Sequence, residues 1–172
     1  MVTVLFILSI LLFTNFISYE VGKKGGLPDS ISAMVFDFRH PWGWSVWLWA
    51  VTISLTPALL DAMPKEYQVL AFFTLAFLVF TGVVPLIDKE HRKWHYVCGF
   101  LAGICSQACV WKICPWLLFL WIVMLIYVIA GMAHVNDKTE EGPYDGKGVI
   151  IAELIATAAV FGSIIIRNYI IS

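Results

Sequence analysis

The hydrophobic positions of this chain fall in long runs, broken by short polar stretches. A helix that crosses a membrane needs about 20 apolar residues, within a range of about 17–25. Six runs meet or approach that length: Val2 to Tyr19, Trp42 to Leu60, Tyr67 to Ile87, Trp94 to Trp111, Pro115 to Ala133 and Gly148 to Ile166. The pattern predicts an all-α fold, a polytopic transmembrane bundle of six helices forming one integral membrane domain over residues 1–172. The two longer connections, Glu20 to Pro41 and His134 to Lys147, are too short for a soluble domain. Val2 to Tyr19 lacks the basic start and the small-residue cleavage pattern of a signal peptide, so it reads as the first span.

The chain turns on Val84 to Gln107, VPLIDKEHRKWHYVCGFLAGICSQ. An apolar run ends at Pro85, a charged turn follows over Asp88 to Lys93, and His95 opens the next run. Within that run Gly99 and Gly103 form a small-xxx-small pattern, which predicts a close contact between helix backbones. Gly82, in the run before, predicts another. Earlier, Gly25, Gly26 and Pro28 break the first loop. Ser30 or Asp29 then has the chemistry to cap a short helix over Ile31 to Phe38, apolar enough to lie at a membrane interface. Trp42, Trp44, Trp47 and Trp49 crowd the start of the second span. They read as an aromatic belt at headgroup level or as the wall of a groove for a lipid headgroup or sterol. Pro57 predicts a kink near the end of that span.

Composition supports a lipid solvent. Charged residues make up 13% of the chain and hydrophobic ones 60%, against about 25% charged in soluble domains. A formal net charge of −1 gives no electrostatic basis for binding nucleic acid. The expected partners are membrane lipids, and nothing in the chain sets an oligomeric state. The four cysteines, Cys98, Cys105, Cys109 and Cys114, sit in or beside one apolar run, which reads as packing and not as a disulfide framework.

With six spans, loops one, three and five share a face that carries eight lysines and arginines, against three on the other. The excess favours that face as cytoplasmic. His40, His91, His95 and His134 all map to it, and Glu153 lies about five residues into the last span from the same side. An ionisable group inside a span marks a functional site by default, with a partner to be named. The named partner is His95, which would pair with Glu153 or else with a loop carbonyl, and a His95–Glu153 contact would form the polar centre of the bundle mouth. Ser30 and Ser32 would cap that mouth, and Asp88 and Trp44 complete the ligand-binding candidates.

No motif carries a reaction, so no catalytic residue is assigned. Ser30 lacks a G-x-S-x-G elbow, and His91 is followed by Arg92 instead of opening H-E-x-x-H. No metal or other cofactor is expected; were a metal bound, His91, His95 and Glu153 would be its ligands. Three functions follow. The first is binding of a lipid or other small amphiphile near His95 and Glu153. The others are a metal-dependent membrane lipid hydrolase and an oligomeric channel or transporter.

Several short motifs carry a resemblance: Gly26-Leu27-Pro28-Asp29-Ser30-Ile31-Ser32, the Trp42 to Trp49 cluster, Gly82-Val83-Val84-Pro85, His95-Tyr96 and Glu153. In this order they resemble small six-span uncharacterised membrane proteins of Bacteroides-type bacteria and their phages. More distantly the layout is similar to the DRAM/Sfk-type six-span superfamily, whose members are linked to lipid remodelling. The resemblance implies a multi-pass protein of a bacterial inner membrane. It also implies cytoplasmic termini, opposite to the lysine count, and it transfers no reaction.

Overall fold

The computed structural model describes residues 1–38, 40–84, 91–134 and 147–171. Six α-helices follow one another, α1 (Val2–Lys24), α2 (Pro41–Ala62), α3 (Gln68–Val83), α4 (Arg92–Ile113), α5 (Leu120–His134) and α6 (Lys147–Ile165), with no strand among the described residues. The fold is an all-α helical bundle, as the apolar runs predict. Among the described residues, five stretches are long and apolar enough to cross a membrane. α5 is the short one. Its 15 residues rise about 22 Å, and the 3₁₀ turns over Pro115–Phe119 that lead into it add about 10 Å.

The surface is built for an apolar solvent. Val4, Phe72, Phe100 and Ile126, on four different helices, are all more than half exposed, where water would penalise such side chains at about 25 cal/mol per Å². Backbone polar groups meanwhile close within the helices, as lipid demands.

Several boundaries shift for local reasons. α1 runs past Tyr19 to Lys24, because nothing in Tyr19 to Lys24 breaks a helix. It stops at Gly25, whose φ of 69° lies in the left-handed region and whose N–H closes on the Val21 carbonyl. Glu20 is therefore a helical residue and is buried, not a loop residue. α2 carries Pro57 in its interior and continues to Ala62. The last span ends in a π-helical turn over Ile166–Ile170. The ends of the third span beyond Val84 and the loop from Asn136 to Gly146 lie outside the described residues.

Packing is strongest between α3 and α4 and between α1 and α2, with α6 filling the space beside α4. Gly82 behaves as its position predicts: a β-carbon there would stand 2.6 Å from Trp49 Nε1, and the Ser45 hydroxyl donates to the Gly82 carbonyl at 2.6 Å. Gly99 and Gly103 do not. A β-carbon on Gly103 would meet nothing within 4 Å, and one on Gly99 would meet only Thr81 Cγ2, at 4.0 Å. Their small size leaves space instead of bringing backbones together. Gln107 ties three helices: its Nε2 donates to the Ala156 carbonyl at 3.3 Å, and its Oε1 accepts from Trp121 Nε1 at 2.9 Å. All four cysteines are free thiols.

Candidate functional site

The space left by Gly99 and Gly103 is a cavity of about 190 Å³. Described residues of α1, α2, α3, α4 and α6 and of the first loop line it. Phe13, Trp44, Trp47, Leu48 and Phe161 supply aromatic and aliphatic surface. Polar groups come from Ser32, Glu153 and a set of hydroxyls on the helices.

The first loop reaches this cavity by folding back over the bundle. Ser30 accepts the Ala33 N–H at 2.9 Å and opens a 3₁₀ helix over Ser32–Asp37. The Ser30 hydroxyl thus takes up one N–H of the first turn although the N-cap position is Ile31, and the helix packs onto the bundle while Phe36 stays exposed. Met34 and Val35 are fully buried, with Val35 against Trp44 and Leu48. The first N–H groups of any helix lack an internal acceptor. Ile31, just ahead of this one, donates its N–H to Glu153 Oε2 at 2.6 Å. That bond joins the first loop to α6. The loop does cap Glu153, but with a backbone amide where serine hydroxyls were expected.

The tryptophans divide. Trp42 stays exposed, while Trp44 is buried at 1%. Trp47 donates to the Leu12 carbonyl at 3.0 Å and Trp49 to the Val79 carbonyl at 3.1 Å. Three of the four therefore turn into the bundle, and Trp42 alone keeps the exposure a belt residue needs. The groove-wall alternative describes Trp44 and Trp47, which both line the cavity. Trp44 Nε1 is buried with no acceptor among the described residues.

His95 stands apart from this site. It is 2% exposed and its Nδ1 lies 2.7 Å from the Val84 carbonyl and 3.1 Å from the Thr81 carbonyl. Both partners only accept, so Nδ1 carries the proton. Glu153 and His95 share no hydrogen bond, and His95 does not line the cavity. The expected His95–Glu153 centre is replaced by two separate attachments: α4 to the end of α3 through His95, and α6 to the first loop through Glu153. Of the two partners foreseen for His95, the loop carbonyl is the one it takes.

Of the sequence candidates, the structure gathers Glu153, Ser32 and Trp44 at one cavity and leaves Ser30 and His95 outside its lining. Asp88 lies outside the described residues. No three histidine, cysteine or acidic side chains come together among the described residues, so His91, His95 and Glu153 do not form the ligand set envisaged for a metal hydrolase. Sequence reasoning missed the hydroxyls of Thr52, Thr74, Thr81, Ser106 and Thr157, which line the same space. In the sequence they are scattered, and only the recurrence of threonine inside otherwise aliphatic runs marks them.

The arrangement can hold a small guest with an apolar body and one polar end. A carboxylate inside a bundle, half committed to a backbone amide, is the group that would orient it. Compared with known proteins, the chain matches no protein family, no curated protein and no solved structure.

Proposed function

We propose that this is an integral, multi-pass membrane protein that binds a small amphiphile in the cavity beneath Glu153, without catalysing a reaction on it. The observation that supports this reading is the pairing of shape and chemistry: an apolar chamber of about 190 Å³ with one carboxylate in its wall. Its size restricts the guest. An engineered cavity of about 150 Å³ takes a benzene molecule, so this one suits a compact amphiphile or a single lipid fragment and not a whole two-chain lipid. Ile31 and Ser32, at the start of the 3₁₀ helix, line the chamber together with Glu153, and the Ile31–Glu153 bond holds them there. Placement in a bacterial inner membrane rests on the sequence resemblance alone.

Gly103→Leu tests the reading, because it fills the chamber from a position with open space around it. Purified from membranes in mild detergent, the unaltered protein should retain a small compound by native mass spectrometry, and the variant should lose it. Identical adducts on both proteins would refute the assignment.

A further inference from the structure

The cavity's polar groups are unequal in kind. Thr52, Thr74, Thr81 and Thr157 each donate their hydroxyl proton to the carbonyl four residues back, at 2.7 to 2.9 Å. Ser106 donates to the Gly103 carbonyl three residues back, at 2.7 Å. Their donors are spent, and what they retain toward the cavity is lone-pair capacity. The Trp47 N–H is spent on Leu12. Only Ser32 and Trp44 keep an uncommitted donor among the lining residues. Against this, Glu153 brings two carboxylate oxygens, one of which accepts from Ile31. Among the described residues no lysine, arginine or histidine lines the cavity.

A chamber with one acid, many acceptors and no cation is complementary to a guest that supplies positive charge and N–H donors. Charge removed from water must be paired, and an ammonium placed beside Glu153 pairs with it through a charge-assisted hydrogen bond. Phe13, Trp44, Trp47 and Phe161 line the same cavity, and aromatic rings attract a cation. A bare hard cation such as calcium or magnesium would need about six or more oxygens around it, and most of this wall is aliphatic or aromatic carbon. An anionic guest would meet Glu153 as a like charge.

We propose that the ligand is a small organic ammonium: a protonated amine on a compact apolar body of about ten non-hydrogen atoms, with its nitrogen at Glu153. This rests on the cavity being the binding site, and the experiment separates the two.

Full-length protein in lipid nanodiscs is titrated with cyclohexylmethylamine, with its neutral isostere cyclohexylmethanol and with cyclohexanecarboxylate, following tryptophan fluorescence from the cavity wall. The amine should bind at least about tenfold more tightly than the alcohol, which is the scale of one charged contact, and the carboxylate should be weakest. In Glu153→Gln the amine should lose its advantage over the alcohol. In Gly103→Leu neither should bind. An alcohol or carboxylate that binds the unaltered protein as well as the amine overturns the ammonium assignment and leaves the cavity reading standing. Amine binding undiminished by Gly103→Leu overturns both. Sodium chloride at the amine hydrochloride's concentration reproducing the amine's full fluorescence change also overturns the ammonium assignment.

Discussion

The Ile31 N–H and the Glu153 carboxylate meet at 2.6 Å across 122 residues of chain. This one contact fixes how the first loop closes over the end of the bundle. The amide belongs to a residue just ahead of a 3₁₀ helix, where no internal acceptor exists, and the acid belongs to a helix that has few other polar side chains. Each would be left unpaired without the other. Glu153→Gln keeps an acceptor for Ile31, whereas Glu153→Leu removes it and strands the amide. The leucine variant should lose about 1–3 kcal/mol of stability and the glutamine variant less than half of that. Unfolding in detergent micelles, read by circular dichroism, measures the difference; equal losses would show that the bond does not hold the loop.

Two glycines in neighbouring helices should respond with opposite sign to the same substitution. At Gly82 an added β-carbon falls 2.6 Å from Trp49 Nε1 and 3.1 Å from its Cδ1. The indole must move, which strains its bond to the Val79 carbonyl, and Gly82→Ala should cost about 1–3 kcal/mol. At Gly103 the same carbon enters open space, and Gly103→Ala should be neutral or stabilising by up to about 1 kcal/mol through helix propensity. Paired thermal melts decide this.

Why one glycine was readable and the other was not follows from the nature of these helices. Apolar runs of spanning length announce helices and their order, and the six-helix layout was legible for that reason. A stripe of hydrophobic residues normally marks a helix's inner face. Here exposed and core positions are both apolar, so the sequence does not say which face is inside. Gly99-x-x-x-Gly103 has the same spacing whether it admits a second backbone or leaves a void. The tryptophans suffer the same ambiguity: a ring at a span's start suits a headgroup belt, yet Trp44, Trp47 and Trp49 turn inward. Glu153 was legible because a carboxylate in a span is costly anywhere. Its partner was not, because a backbone amide has no signature in the sequence.

Gly25 ends α1 at a φ of 69°, with open space around the position of its missing β-carbon. Only backbone strain penalises a side chain there. Gly25→Ala should therefore destabilise by about 1 kcal/mol, and Gly25→Asn by less, since asparagine tolerates the left-handed region. Equal effects of the two would point to a packing role that the geometry does not contain.

Gln107 couples α4 to both α5 and α6, accepting from Trp121 and donating to Ala156. In an apolar bundle such a bond contributes about 0.6–2 kcal/mol. A double-mutant cycle of Gln107→Leu with Trp121→Phe isolates the Gln107–Trp121 term. A coupling energy of about 1 kcal/mol is expected. Strict additivity would mean that α5 is held by shape alone.

His95 offers the sharpest discrimination, because its two ring nitrogens stand in different surroundings. Nδ1 carries the proton and donates to the carbonyls of Val84 and Thr81, while Nε2 is buried with no hydrogen-bond partner among the described residues. Asparagine places an amide N–H close to where Nδ1 stands, and glutamine places one close to Nε2. If the bond to the end of α3 is what His95 supplies, His95→Asn retains a donor for the two carbonyls, and His95→Gln moves it away from them. His95→Leu removes it altogether, leaving both carbonyls short of a donor at a cost of about 1–3 kcal/mol. Stability should fall in the order unaltered, Asn, Gln, Leu. A ¹⁵N spectrum of the labelled imidazole should also show the Nδ1–H tautomer in the folded protein. Glutamine outranking asparagine, or an Nε2–H tautomer, would transfer the histidine's role to its other nitrogen and detach it from α3.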